Sequence, residues 1–453
     1  MNWRPKIADP SRPKYLAVVE ALENDIASGA LRHGDRLPPQ REIAEQLDTT
    51  IATITKAFRE ATRRGIVTAR TGSGTFVRIG ESQPEIDRAI PDLSLNTVPS
   101  GPTKPFLDAA LEEIGAARMS EVLCAYEPSA GFEHHKTSMA KWLRKRKLSA
   151  PPSRILLTHG GQHALAACFH ALTKPGEAVL CEAWSYSGIR RLADLCHVRA
   201  EGVGMDAEGL DPQRLREKLK STGAKLVFCT AVVQNPTTAT MSLSRRREII
   251  AICKKAGALI VEDDIYGVLS GEEEPALAAI DGNQTIHINS LSKCLSPGVR
   301  LGVMVAPEIL ISSLHSALMS LQWTAPSFWA EVFELMRANG SAERCLNAHR
   351  REATRRLELF ADIVREKPVT SLPSYHVWQR VPAPWRVDDF VTELLTVGVR
   401  VSPAQHFAIA QSADNNFIRI CLGGSDDTDA LKDQLARLGA VMHGRPRLSA
   451  TII

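Results

Sequence analysis

The sequence predicts an α/β protein: three helices and a hairpin at the N-terminus, then a mainly parallel seven-stranded sheet with helices on both faces, and last a smaller α+β region. Three observations predict it. Apolar residues recur at helical spacing up to about residue 64, two β-rich runs around a glycine turn follow, and from Arg154 to Val305 seven short apolar runs alternate with helical stretches of about ten residues or more.

Each element has a local cause. Lys14 to Ser28 places Tyr15, Val19, Leu22 and Ile26 on one helical face. Gly34-Asp35 turns the chain, and Pro38-Pro39 opens a second helix, Gln40 to Leu47, because proline suits a first turn whose N–H has no partner to lose. After Asp48-Thr49, Thr50 caps a third helix to about Arg64, with Ile54, Ala57, Phe58 and Ala61 facing inward, and Gly65 ends it. Ile66–Arg70 and Thr75–Arg78 flank the turn Thr71-Gly72-Ser73-Gly74 as two strands. Residues 1–78 thus have the order of a winged helix-turn-helix. From Ile79 to Pro91 periodicity fades and Pro, Gly and acids accumulate, the mark of a linker over 79–91. Residues 92–453 form the second domain, with strands expected at Arg154–Thr158, Glu177–Glu182, His197–Val203, Lys225–Val232, Ala258–Val261, Thr285–Ile288 and Arg300–Val305. Its large part is expected at about 130–311 and its small part at about 312–453.

Composition narrows the function classes. With 44% apolar and 23% charged residues the chain is an ordinary globular one. It has no apolar stretch of the roughly 18 residues a membrane span needs, and its first residues lack the apolar core of a signal peptide, so the expected location is cytoplasmic with no membrane partner. Nine cysteines are scattered singly without a C-x-x-C pair, which argues against a disulfide framework or a zinc site; no metal is expected. The net charge of +4 resides wholly in residues 1–78, which hold 13 Lys and Arg against 9 Asp and Glu. Within 49–78, Lys56, Arg59, Arg63, Arg64, Arg70 and Arg78 face the single acid Glu60. That is the footprint of a small nucleic-acid-binding module on a neutral body.

In a helix-turn-helix the second helix enters the major groove of double-stranded DNA while the first braces it on the backbone. Gln40–Leu47 is the brace and Thr50–Arg64 the reader. Thr50, Thr53, Thr55 and Lys56 gather at the reader's N-terminal end, where side chains meet base edges and helix N–H groups meet phosphate. Arg41 on the brace, with Arg70 and Gly74 in the hairpin, completes the candidate interface. The run from Gly34 through Leu37-Pro38-Pro39-Gln40-Arg41-Glu42 to Gly72-Ser73-Gly74-Thr75-Phe76-Val77 resembles the GntR family of bacterial regulators across roughly residues 12–78. Asp48 stands where that family commonly has a turn glycine, and Ile51 where it often has arginine.

The second domain carries a different chemistry. Pyridoxal phosphate asks a protein for a lysine amine, an acid for its ring nitrogen, donors for its phosphate and an aromatic face. Thr158-His159-Gly160-Gly161-Gln162 joins a strand to a helix, so the N–H groups near Gly161 and Gln162 suit phosphate. Tyr186 suits the ring face, Asn235 and Tyr266 the ring oxygen, and Asp263 ends an apolar strand where open α/β sheets bind ligands. Ser290-Leu291-Ser292-Lys293 and Arg300 supply the amine and further phosphate partners.

Together these residues resemble the fold-type I aminotransferases across about residues 95–445. The resemblance implies pyridoxal 5'-phosphate on Lys293, Asp263 as partner of the pyridinium, Asn235 and Tyr266 on the phenolate, Tyr186 stacked, and Ser290, Ser292 and Arg300 on phosphate. It also implies Arg419, in Asn416-Phe417-Ile418-Arg419-Ile420, as the arginine for a carboxylate, and Tyr126 as an effector-site residue that comes from, or faces, the partner subunit. Thr238 stands where Asn-Pro-Thr is usually followed by glycine. A GntR-like domain ahead of an aminotransferase-like one resembles the MocR regulators. The function this implies is a homodimeric regulator that binds paired half-sites and senses an amino compound through an external aldimine at Lys293. The alternatives are an active aminotransferase with an accessory DNA-binding domain, and a cofactor-free dimerisation scaffold.

Overall fold

The computed structural model describes residues 3–5, 7, 13–28, 30–31, 35–63, 66–70, 74–77, 91–124, 130–409 and 415–445. It divides into two compact units, Met1–Arg88 and Ala89–Ile453.

The first unit contains α1 (Lys14–Ala27), α2 (Gln40–Gln46), α3 (Ile51–Arg63) and a hairpin of β1 (Val67–Arg70) with β2 (Gly74–Val77). Val19 and Leu22 of α1 are buried against Ile43 and Ala44 of α2, and against Ile54, Ala57, Phe58 and Ala61 of α3. Each large apolar side chain taken fully from water contributes about 1.5–3 kcal/mol, so this small core holds three short helices that would not persist alone. Asp48 turns the chain between α2 and α3 with φ 45°, a left-handed conformation that aspartate tolerates better than most residues. Lys14 Nζ donates to the Asp48 carbonyl at 2.9 Å.

The second unit is built on seven strands: β3 (Ile155–Thr158), β4 (Ala178–Glu182), β5 (Arg199–Val203), β8 (Leu226–Cys229), β9 (Leu259–Asp263), β10 (Thr285–Ser290) and β11 (Gly302–Val305). A two-stranded excursion, β6 (Met205–Asp206) with β7 (Gly209–Leu210), follows β5. The sheet order is β3-β11-β10-β9-β8-β4-β5, parallel except for β11, which runs against both β3 and β10. The strands are short and apolar because both faces are covered. Leu156, Val179 and Phe228 pack on one side, and Leu180, Val227 and Ile260 on the other. All the parallel strands end at one edge, where the crevice of such a sheet lies.

A three-stranded antiparallel sheet of β12 (His376–Arg380), β14 (Phe417–Cys421) and β13 (Ser402–Pro403) carries the smaller core, with helices Val387–Thr396 and Thr428–Met442. The division between the two cores differs from the expected change near residue 311. Helix Ile311–Leu321 puts Leu314 and Leu318 into the core of the large sheet, and helix Ser327–Ala338 packs Val332 and Phe333 on Trp142 and Leu143. The changeover falls within one helix, Ser341–Val364, whose Ala342, Cys345 and Leu346 join the large core while Phe360 and Val364 join the small one. Leu93, far earlier in the chain, is also fully buried in the small core. No helix among the described residues is long and apolar enough to cross a membrane.

Candidate functional site

β3 ends at Thr158, and the chain turns through Gly160 at φ 80° into helix Gly161–Leu172. The first N–H groups of that helix, at Gly161 and Gln162, have no intrahelical acceptor, which suits an anion. β10 ends at Ser290, next to Ser292 and Lys293. Arg300 closes the group: its Nη1 donates to Ser292 Oγ at 3.3 Å and its Nη2 to the His159 carbonyl at 3.2 Å, while Ser290 and Ser292 hydroxyls lie 3.0 Å apart. Gly161, Gln162, Ser290, Ser292 and Arg300 thus converge at the carboxyl ends of two sheet strands.

The backbone here has no room for side chains. A Cβ on Gly160 would stand 2.5 Å from Arg300 Nη2, and one on Gly302 would stand 2.6 Å from Thr158 Oγ1. A Cβ on Gly188 would strike the Tyr186 ring and meet Gln162 Oε1 at 2.7 Å, so Tyr186 and Gln162 lean on the same glycine. Gln162 Oε1 is buried with no hydrogen-bond partner among the described residues. A cradle of glycine, hydroxyls and guanidinium beside an unsatisfied amide fits a phosphorylated ring with polar substituents.

Deeper in the cleft the charges are buried. Lys293 is pushed down to about 8, mainly by burial and further by the nearby Arg419 guanidinium. Burial raises Asp263 to about 7, although its Oδ1 accepts from the Ile265 amide at 3.1 Å. A buried carboxylate of this kind is stabilised by a cation such as a pyridinium. Burial also raises the hydroxyl of Tyr266, which His376 flanks at a ring-centroid distance of 5.1 Å. Burial lowers His376 to about 3, so that ring is neutral. Arg419, 7% exposed on β14, donates from Nη1 to Asn235 Oδ1 and from Nη2 to the Ser94 carbonyl, both at 2.9 Å. Its guanidinium lies 4.6 Å over the Phe407 ring. Its Nε is buried without a partner among the described residues. Asn235 therefore meets the arginine, and Thr238, three residues on, holds φ 62° where a glycine would be unstrained.

Sequence reasoning missed the segment 91–100. Asn96 Nδ2 donates to Tyr266 Oη at 2.5 Å, and Lys293 Nζ donates to the Asn96 carbonyl and, at 3.4 Å, to its Oδ1. Leu93 accepts from the Cys421 amide at 2.7 Å, and a Cβ on Gly424 would meet the Asp92 carbonyl at 2.8 Å. The signal lay in Gly423-Gly424, a pair that leaves room for a second backbone. Tyr126 lies outside the described residues.

In the first unit, Thr50 Oγ1 accepts from the Thr53 amide at 3.3 Å and caps α3. Arg41, Thr50 and Lys56 are exposed, Arg41 pairing loosely with Glu45 at 3.5 Å and Lys56 lying 4.0 Å over the Tyr15 ring. Thr53 is half-buried at the same end of α3. Thr55 is turned to another use: its hydroxyl lies 2.7 Å from Gln40 Oε1 and 2.9 Å from the Ile51 carbonyl, tying reader to brace. Arg70 and Gly74 face one another across the hairpin backbone; their side-chain surroundings are outside the described set.

This fold and donor set define a pyridoxal-phosphate-dependent aminotransferase-like domain of fold type I, joined to a helix-turn-helix DNA-binding domain. Residues 90–432 match the family model "Aminotransferase class I and II", and residues 14–77 match "Bacterial regulatory proteins, gntR family". The chain belongs to the aminotransferase class I and II family and carries a gntR-family domain ahead of it, the architecture of the MocR subfamily. It is 28% identical to the uncharacterized HTH-type transcriptional regulator YdeF of Bacillus subtilis over 96% of each chain. It is 25% identical to the HTH-type pyridoxine biosynthesis transcriptional regulator PdxR of Corynebacterium glutamicum, over 96% of this chain and 97% of that one. Among solved structures, the kynurenine aminotransferase of Pyrococcus horikoshii shares the fold with a TM-score of 0.71 at 24% identity, covering 78% of this chain and 91% of that chain.

Proposed function

We propose that this protein is a cytoplasmic DNA-binding transcription regulator whose pyridoxal-phosphate domain senses a small amino compound bearing a carboxylate. The observation that carries the reading is Arg419. A buried guanidinium whose Nε has no partner among the described residues, close enough to Lys293 to depress its amine, supports a ligand that brings a carboxylate to one and an amino group toward the other. Gly161, Gln162, Ser290, Ser292 and Arg300 would hold the phosphate, Asp263 the ring nitrogen, Asn235 and Tyr266 the ring oxygen, and Tyr186 the ring face. When bound, the cofactor supplies an electrophilic carbon that exchanges one amine for another. Around it, Lys293 supplies an amine that is about half neutral near pH 8, and Tyr266 takes its acceptor bond from Asn96, leaving its own proton to donate. Arg41, Thr50, Thr53, Lys56, Arg70 and Gly74 would face DNA. A homodimer through the large domain, reading paired half-sites, suits both halves of the architecture.

The test is a panel of amino acids scored twice, for a change in the visible cofactor spectrum and for a change in affinity for the DNA upstream of neighbouring genes. A compound that alters the spectrum without altering DNA affinity counts against sensing. One observation favours the second reading, a working aminotransferase: a lysine amine held at about 8 is a competent proton carrier near neutrality. Steady formation of a 2-oxo acid over many turnovers would establish it. Sedimentation of a monomer at micromolar concentration, or a footprint over one lone half-site, would overturn the dimer.

A further inference from the structure

Outside the cofactor cleft, two imidazoles and a carboxylate meet. His134 and His135 are adjacent in the first turn of helix Glu133–Leu143, and Glu331 reaches them from helix Ser327–Ala338. His135 Nε2 lies 2.8 Å and His134 Nε2 3.3 Å from the same atom, Glu331 Oε2. One ligand atom from each of the three residues falls within 4.8 Å of the other two. His135 and Glu331 are buried, whereas the His134 side chain is 53% exposed, so the cluster opens to solvent on one side. The Phe132 ring packs against both imidazoles, with centroids 5.6 and 5.7 Å away, and limits how they turn.

We infer that this trio binds a divalent transition-metal ion of the zinc class. Two neutral rings, their centroids 4.0 Å apart, and the carboxylate would hold such a dication through one lone pair each. The spacing agrees: bonds of about 2.0–2.2 Å in a tetrahedral array put neighbouring ligand atoms about 3.3 Å apart. His134 and Glu331 already stand at that separation, and the His135 contact has only to open by a few tenths of an ångström. Each Nε2 gives the metal a lone pair while its ring keeps one proton on Nδ1, any excess proton leaving to solvent. Two imidazoles and one carboxylate suit zinc or cobalt rather than the all-oxygen shells of calcium and magnesium. Three protein ligands with an open fourth position on the His134 side leave room for water or a further donor. Cysteine spacing, the basis for expecting no metal, is blind to this arrangement, because the third ligand follows almost two hundred residues after the first two.

The test uses full-length protein with its cofactor, stripped of metal by a chelator and titrated with cobalt chloride alone. One equivalent should produce a visible ligand-field band, without the near-ultraviolet thiolate band expected if the exposed Cys124 were the ligand. Zinc chloride should erase that band and raise the melting temperature. His134→Ala, at the solvent-exposed ligand, should weaken cobalt binding at least tenfold and leave the cofactor spectrum and DNA affinity unchanged. Glu331→Gln should do the same if it folds; His134→Ala decides the matter if it does not. No ligand-field band in the wild-type protein, or an equal band in His134→Ala, would overturn the metal site and leave the regulatory reading untouched.

Discussion

The two units place their functional charges in opposite settings. In the N-terminal unit the cations stand in water, with Arg41 81% exposed and in a loose i,i+4 pair with Glu45. In the second unit Asp263 and Arg419 are buried and Lys293 is half-buried, and loss of water pushes the lysine down and the aspartate up. The difference teaches what each unit is suited to recognise. Exposed cations contribute through long-range, salt-screened attraction and are adjustable one at a time. Buried groups depend on one matched partner, and removing one member leaves the others unsatisfied.

The sharpest break is therefore expected in the cleft. Lys293→Ala should abolish the borohydride-sensitive visible band of the bound cofactor completely, while specific DNA binding by the N-terminal unit survives; a persistent band would show that another amine holds the cofactor. Next in size, Arg419→Gln should weaken the response to a carboxylate-bearing ligand about 10–100-fold, the scale of a lost charge-assisted pair, with the cofactor still bound. Titration with a series of amino compounds checks it.

Asp263→Asn sharpens the comparison because its two effects have opposite signs. Cofactor retention should fall, since the pyridinium loses its counter-charge. In cofactor-free protein the wild-type carboxyl, raised to about 7, binds a proton that the unfolded chain has already released between about pH 4 and 7. Folding is thus penalised as pH rises through that window, and the penalty persists above it. The variant should melt a few degrees higher than the wild type at pH 8 and about equally at pH 4, as thermal unfolding at the two pH values will show. A variant that melts lower at pH 8 would contradict the burial argument.

On the surface the expected effects are smaller and of another kind. Arg41→Ala combined with Lys56→Ala should weaken operator and non-specific DNA alike and reduce the slope of log affinity against log salt by about 2. Unchanged slope would remove both from the interface. Smallest of all, Thr238→Gly should relieve a left-handed backbone at a cost in chain entropy, a net change of about 1 kcal/mol or less, measurable by denaturant unfolding.

Local pattern made much of this legible. The helices of the first unit followed from periodicity and two prolines, and the seven strands from apolar runs bounded by turns, because a strand buried on both faces has little choice of residue. The glycines, serines and arginine that converge beside β3 and β10 were visible as short motifs, since each lies next to a strand terminus. What stayed hidden depends on contacts between distant residues. Nothing near Asn96 announces that its side chain will meet Tyr266 and Lys293, and nothing near Thr55 shows that its hydroxyl will turn to Gln40 instead of outward. Likewise, helices after residue 311 look like the start of a new region, yet they pack on the large core because that sheet still needed its faces covered.

Segment 91–100 has a thermodynamic consequence. Its Ser94 and Asn96 carbonyls accept hydrogen bonds from Arg419 and Lys293, and its N-terminal end is covalently continuous, through residues 78–90, with the DNA-binding unit. One peptide thus both lines the cleft around Lys293 and Arg419 and follows the N-terminal unit in the chain. Linkage then runs both ways: if a ligand at Arg419 changes operator affinity by some factor, operator DNA must change the affinity for that ligand by the same factor. The gene-regulatory sequence would act as an effector of the small-molecule site, and ligand titrations performed with and without DNA would report the same coupling energy.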